Sequence, residues 1–302
     1  MANLIKKLHL KRRFIATLAE WHFYGNPSKK LKVVGVTGTN GKTTTVTLLY
    51  RIATSLGYKA GLIGTVENII GTNVLPHDDK SPGTTPDPIY LNKLLTQMVE
   101  EGCEYVFMEV SSHALDQGRV NGINFAGGIF TNLTHDHLDY HKDLQNYFLA
   151  KKKFFDMLPK NAFALSNMDD DHGILMVENI KAKKFLYGFS NKYATPQVKD
   201  PKKDTPDPWE YFDGEILKLD FSGLELNING EKIESKLLGK FNAQNLLAVY
   251  SASELLGFDM KKVEKIIETA MEGVLERSYL KHKTEIPLIV HYGSGDNLEE
   301  VK

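Results

Sequence analysis

Apolar residues along this chain fall into short runs closed by polar, glycine-bearing turns, and the runs alternate with longer stretches of helical period. LKVVGV (31–36) is such a run. It is closed by Thr37-Gly38-Thr39-Asn40-Gly41, and Lys42 to Ser55 follows with Val46, Leu48, Leu49 and Ile52 at helical spacing. KAGLIG (59–64), YVFMEV (105–110), FAGGIFT (125–131), FALSN (163–167) and KKFLYGF (183–189) predict further strands, and Pro88–Glu101 and Leu144–Met157 further helices. This alternation specifies an α/β fold, a doubly wound, mostly parallel sheet with helices on both faces. EILKLDFSGLELNINGEKIESKLLG (215–239) alternates apolar and polar positions around Asn229-Gly230, which predicts a small antiparallel β extension. Helices over Asn242–Leu256 and Met260–Met271 should follow, and IPLIVHYGSGD (286–296) predicts one more strand with a glycine-rich turn. At the front, Leu8 to Trp21 reads as a helix with Phe14, Leu18 and Trp21 turned inward. Pro196, Pro201, Pro206 and Pro208 mark a surface loop or insertion. No internal repeat is visible.

Composition narrows the picture. A chain of 302 residues is long enough for two domains or one large one, and 42% apolar with 25% charged residues is ordinary globular usage. No run approaches the ~18 apolar residues of a membrane span. With 37 basic and 38 acidic side chains the net charge is −1, which excludes a general polyanion binder and gives no reason to expect a nucleic-acid partner. Charge is uneven, however: residues 1–30 carry a net +6, including Lys6, Lys7, Lys11, Arg12 and Arg13. That opening suits either a solvated helix or a surface for an acidic partner or membrane. Cys103 stands alone, so there is no internal disulfide and no thiolate zinc cluster. The opening also lacks the apolar core and cleavage site of a signal peptide, and a cytoplasmic location is expected.

Three motifs carry candidate chemistry. In Gly38-Thr39-Asn40-Gly41-Lys42-Thr43-Thr44, a glycine turn between strand and helix offers backbone N–H groups and a helix N-terminus to an anion. Lys42, expected to face solvent, can reach terminal phosphates, and the Thr43 hydroxyl can hold Mg²⁺. Val36 stands where the general phosphate-loop pattern has its first glycine. Next, Glu109 closes a strand at the edge where parallel sheets bind ligands, which suits a Mg²⁺ ligand. The same stretch, Met108 to His113, also reads as a helix N-cap with an acid beside it. Finally, His135-Asp136-His137-Leu138-Asp139-Tyr140-His141 places no regular helical face of ligands, so a loop lending one or two ligands to a nucleotide-bound Mg²⁺ fits better than zinc. Lys151, Lys152 and Lys153 span most of a helical turn, cannot share one face, and by themselves read as a solvated run.

GVTGTNGKTT, GTTPDP, MEVSSHALDQGRV, TNLTHDHLDYH and YFLAKKKFF, in this order, resemble the motifs of the Mur ligases, most closely the branch that adds the third amino acid to UDP-N-acetylmuramoyl-L-alanyl-D-glutamate. The resemblance runs from about Phe23 to about Leu256 and includes SNMDDD (166–171) and LLGKFNAQN (237–245). It implies an ATP- and Mg²⁺-dependent synthetase. The γ-phosphoryl group would pass to the D-glutamate side-chain carboxylate, and the acyl phosphate would be attacked by the amine of lysine or diaminopimelate. By carry-over, Gly38 to Thr44 hold the triphosphate, with Lys42 catalytic, and Asn242 faces the adenine. Thr43, Glu109, His137 and Lys151 serve the metal ions, Lys151 as a carbamate. Thr84, Thr85, Ser111, Gln117 and Arg119 contact the muramoyl-peptide.

The resemblance divides the chain into a basic segment (1–30) left from a uridine-binding domain, a central ATP-binding domain (31–280), and a lead-in (281–302) to a carboxyl-terminal domain. Three departures accompany it. Only about thirty residues precede the glycine turn where the family has a uridine-binding domain, and a carboxyl-terminal domain is expected beyond Lys302. VLERSYL (274–280) and VHYGSGDN (290–297) also differ from the family's wording, with His291 and Ser294 in place of an aspartate and a histidine and Gly83 in place of an asparagine before the paired threonines. They leave two alternatives. One is an ATP-binding module completed by a separate chain. The other is a related ligase of the folylpolyglutamate or cyanophycin type.

Overall fold

The central apolar runs form a sheet because each is apolar on both faces and satisfies its backbone N–H and C=O groups only in a neighbouring strand. The computed structural model describes residues 14–75, 83–189, 209–220 and 223–270. Its strands are β1 (Lys32–Thr37), β2 (Ala60–Ile63), β3 (Asn68–Ile70), β4 (Asn73–Leu75), β5 (Tyr105–Glu109), β6 (Phe125–Phe130), β7 (Phe163–Asn167), β8 (Lys183–Gly188), β9 (Glu210–Asp220), β10 (Gly223–Ile228) and β11 (Glu231–Ser235). They lie in the order β11-β10-β9-β8-β7-β6-β1-β5-β2-β3-β4. From β9 across to β2 all pairs are parallel. Antiparallel hairpins flank both edges, the expected one at β9-β10-β11 and a second at β2-β3-β4. The second escapes a period-based reading because β3 and β4 have three residues each. Asn229 and Gly230, at φ 52° and 94°, make the tight turn expected between β10 and β11.

Eight helices are used below: α1 (Lys42–Ser55), α2 (Pro88–Glu100), α3 (Ser112–Gln117), α4 (Leu138–His141), α5 (Leu144–Asp156), α6 (Gly173–Val177), α7 (Lys240–Leu255) and α8 (Met260–Ala270). On one face, Leu49 and Ile52 of α1, Leu247 of α7 and Val263 of α8 pack with Val34, Val36 and Phe107. On the other, Leu91 and Leu95 of α2 and Phe154 and Phe155 of α5 pack with Val33, Val106 and Met108. Adjacent Val33 and Val34 therefore serve opposite layers, as strand pleating requires. α5 can lie close to β1 and β6 because the strands present glycine beneath it. A Cβ at Gly35 would stand 2.5 Å from Phe154 Cζ, and one at Gly128 2.9 Å from Phe154 Cε1.

The amino-terminal helix departs from expectation. Residues 14–23 are helical, but Phe14 and Trp21 are 65% and 56% exposed, and Ala16, Ala19 and Glu20 are buried instead. Ala19–Phe23 form a wide turn closed by Tyr24 N–H on the Ala19 carbonyl, which takes this segment out of the 3.6-residue period. Glu20 anchors the segment by accepting from the Ser28 N–H and hydroxyl. The basic residues Lys6 to Arg13, the proline-dense stretch, and everything expected after Ala270 lie outside the described residues. Among the described residues no helix is long and apolar enough to cross a membrane.

Candidate active site

The strand order places β1 between β5 and β6, so the turns leaving the carboxyl ends of these strands face one another. Register aligns Val36 with Glu109 and Thr37 with Phe130. The three motifs meet there.

The turn from β1 into α1 is clasped by the loop after β6. Thr39 N–H donates to the Asn132 carbonyl at 2.9 Å, Asn40 N–H to Asn132 Oδ1 at 2.9 Å, and Thr131 Oγ1 to the Asn40 carbonyl at 2.6 Å. That loop is pinned in turn by SNMDDD: Asn167 Nδ2 donates to the Thr131 carbonyl at 2.7 Å, and Asp170 Oδ2 accepts from Leu133 N–H at 2.7 Å. Gly41, at φ 87°, begins α1 with no side-chain cap, and any Cβ there would collide with Asn245 of α7. The N–H groups of Lys42, Thr43 and Thr44, in the first turn of α1, are thus left for an anion.

Lys42 does not extend into solvent as expected. Its Nζ folds back to donate to the carbonyls of Gly38 (2.9 Å) and Thr39 (2.8 Å). Burial lowers its pKa, opposed by the charges of Glu109 and Asp136. Thr43 Oγ1 donates to Glu109 Oε1 at 3.0 Å. Glu109 is 1% exposed, and both of its oxygens are engaged, because Thr65 donates its N–H to Oε1 (2.8 Å) and its hydroxyl to Oε2 (3.1 Å). A buried carboxylate beside two hydroxyls is a hard oxygen set, which fits Mg²⁺. Among the described residues no group of three or more His, Cys, Asp or Glu is arranged to hold a metal.

Lys151 overturns the solvated-run expectation. It is 1% exposed, its Nζ donates to the same Gly38 carbonyl at 2.8 Å, and it lies 4.3 Å from the centre of the Tyr147 ring. Burial, and then the neighbouring Lys42, hold its pKa well below the ordinary lysine value. Lys152 instead pairs with Asp156 and Lys153 with Asp116 at 2.8 Å. Successive helical residues turn about 100° apart, so only one of the three faces the core. His137 is in the left-handed region at φ 52° and partly exposed, with its ring centre 4.9 Å from that of His113 and 6.2 Å from that of Tyr147. His141, hydrogen-bonded through Nε2 to Ser112 Oγ at 3.0 Å, has its pKa lowered to about 4 by burial and by His113. Burial pushes the Tyr147 hydroxyl up to about 12.

The remaining candidates gather on the β5 side. Thr85 Oγ1 donates to the Glu109 carbonyl (2.9 Å) and accepts from Ser111 N–H (3.0 Å). Arg119 donates to the Thr85 carbonyl (2.8 Å) and to Gln117 Oε1 (2.9 Å). Thr84 meets the Thr65 hydroxyl at 3.0 Å. Ser111 does cap α3, accepting from Ala114 N–H, so the cap and the acid are both present. Asn242 stands at the start of α7, where its Oδ1 accepts from Asn245 Nδ2 at 3.4 Å, and Asn245 in turn lies against Gly41 of the loop. Sequence reasoning missed Thr65 and Asn245. Thr65 follows strand KAGLIG at the ligand edge, and Asn245 shares a helix face with Asn242, so both carried a signal.

Residues 36–253 match the Mur ligase middle domain family. The UDP-N-acetylmuramoyl-L-alanyl-D-glutamate--2,6-diaminopimelate ligase of Bacteroides fragilis is 51% identical over 245 residues, 81% of this chain and 46% of the relative. The enzyme of the same name from Cytophaga hutchinsonii is 48% identical over 283 residues, 93% of this chain and 54% of the relative. A solved structure of a protein of that name superposes with a TM-score of 0.66 at 29% identity, covering 84% of this chain and 50% of the other. The chain thus spans about half the length of the relatives it matches. By the family match and this identity, the chain belongs to the Mur ligase family.

Proposed function

We propose that this chain binds MgATP and supplies the phosphoryl-transfer half of an amide-forming ligase acting in peptidoglycan precursor synthesis. The observation that carries this is the convergence of an uncapped glycine turn, Lys42, the Thr43–Glu109 pair and buried Lys151 at one sheet edge. In this reading residues 31–280 are the ATP-binding domain. Lys42 leaves the Gly38 and Thr39 carbonyls to meet the terminal phosphates, and Gly38 to Thr44 supply backbone N–H groups. Glu109 and Thr43 hold Mg²⁺, which neutralises charge on the transferring phosphoryl group. His137 serves a second cation with Lys151, and Asn242 lies toward the nucleotide base.

The acceptor is assigned from the names of the relatives: UDP-N-acetylmuramoyl-L-alanyl-D-glutamate, with 2,6-diaminopimelate as the amine. Its carboxylate would displace ADP from the γ-phosphorus to give an acyl phosphate. The amine then attacks the acyl carbon, phosphate leaves, and an amide remains. Thr84, Thr85, Ser111, Gln117 and Arg119 form the acceptor side, Arg119 as an anion clamp.

For Lys151 the chemistry is carbamylation. A buried amine whose pKa is lowered by burial and by Lys42 adds CO₂, loses a proton, and becomes a carboxylate of the kind Mg²⁺ prefers, whereas an ammonium there would repel the metal. The test measures phosphate release from ATP with the acceptor and diaminopimelate, supplied if necessary with the rest of a full-length relative. Lys151→Ala should lose activity and regain part of it with added short-chain acids, while Lys152→Ala and Lys153→Ala stay near the parent. Equal activity in all three variants would return Lys151 to a packing role.

A further inference from the structure

We propose that Thr65 is a positioning residue whose hydroxyl relays cation binding at Glu109 to the acceptor-side turn at Thr84. This deepens the MgATP reading and rests on it.

The hydroxyl of Thr65 stands between two partners, Glu109 Oε2 at 3.1 Å and Thr84 Oγ1 at 3.0 Å. One hydroxyl has one proton to give. Both bonds have Thr65 as the donor, so Glu109 Oε2 and Thr84 Oγ1 compete for that proton, and the charged carboxylate takes the larger share. A cation drawn to Glu109 competes for the same oxygens and weakens the bond from Thr65. The Thr65 proton then turns fully toward Thr84 Oγ1, which accepts it. Held as an acceptor, the Thr84 hydroxyl is oriented to donate its own proton on the side where Thr85, Ser111 and Arg119 gather.

The backbone fixes this geometry. Thr65 N–H holds Glu109 Oε1 at 2.8 Å, so the residue stays in place while its hydroxyl switches. Gly64 allows the approach, since a Cβ there would lie 2.7 Å from Glu109 Oε1. The neighbour Thr85 has its own bonds to the Glu109 carbonyl and to Ser111, which leaves Thr84 as the member of the pair linked to the carboxylate. Groups that orient a metal ligand from behind carry much of a site's affinity, and their loss costs about 10- to 100-fold.

The experiment uses the whole chain, ATP, and a Mg²⁺ titration followed by calorimetry, with hydrogen exchange over residues 83–89 measured with and without Mg²⁺–ADP. In the parent, ATP binding requires Mg²⁺ and exchange over 83–89 changes on adding Mg²⁺–ADP. In Thr65→Val the Mg²⁺ concentration for half-maximal binding rises about tenfold and the exchange change disappears. Thr65→Ser restores both. Thr65→Ala carries the same expectation as Thr65→Val should the valine variant fail to fold. A parent that binds no ATP in the presence of Mg²⁺ overturns the function reading itself. A parent that binds, alongside folded Thr65 variants with unchanged Mg²⁺ midpoint and unchanged exchange response, overturns the relay alone.

Discussion

Two kinds of helix start are found in this sheet, and they differ in what they leave unsatisfied. α2, α3 and α5 begin at Asp87, Ser111 and Asp143, each accepting from N–H groups of its own first turn. α1 and α7 begin at Gly41 and Gly239 with no side-chain cap. A capped start has used its acceptor on itself, whereas an uncapped one still presents several N–H donors and a partial positive charge. The second turn of α7 meets the start of α1, where Asn245 closes on Gly41. The capped starts are thus closed on themselves, while the start of α1 keeps its N–H donors open.

The comparison breaks most visibly at Lys42. Lys42→Ala should remove detectable MgATP binding by calorimetry, yet leave the unliganded melting temperature near the parent value, since only two bonds to carbonyls are lost. Parental affinity would remove Lys42 from the site. Gly41→Ala closes the open start: its φ of 87° is strained for alanine, and the added carbon meets Asn245. Denaturant unfolding should show a loss of roughly 1–3 kcal/mol together with weakened ATP binding. Stability lost without any loss of binding would mean that the open turn serves folding only.

A capped start should behave in the opposite way. Asp143→Ala removes the acceptor for Asn146 N–H and should cost about 1 kcal/mol of stability while MgATP affinity stays near the parent value. The last effect is absent at neutral pH and appears only in acid, at His141. Its folded-state pKa of about 4 lies below its ordinary value of about 6.5, so the fold favours the neutral ring. That contribution is complete above about pH 6.5 and is lost as pH falls from there toward 4, where the unfolded chain takes up the proton first. His141→Gln should flatten the stability profile in this window. An unchanged slope would assign the acid sensitivity to other groups.

Much of the fold was legible because it is periodic. β1, α1, α5 and β7 come within a residue or two of the bounds read from apolar spacing, and Asn229-Gly230 announced its turn. Periodicity fails where a segment is too short for it, as in β3 and β4, or where it changes, as in the wide turn over Ala19–Phe23 that leaves Trp21 outside. The candidate site was legible as motifs, a glycine turn after a strand and an acid at a strand's end, although the second reads equally as a helix N-cap. Whether those motifs touch was not.

The sequence by itself determined the strand–turn–helix order, the uncapped glycine start at Gly41 and the acid closing β5, since each depends only on neighbours along the chain. Tertiary structure alone decided that Lys151, among three successive lysines, is the one buried against Gly38, that Thr65 stands behind Glu109, and that Asn245 closes on the turn. A helical period says that three residues point in three directions but not which direction holds the core. That choice was made when the glycines of β1 and β6 let Phe154 seat itself and rotated α5 to bring Lys151 inward.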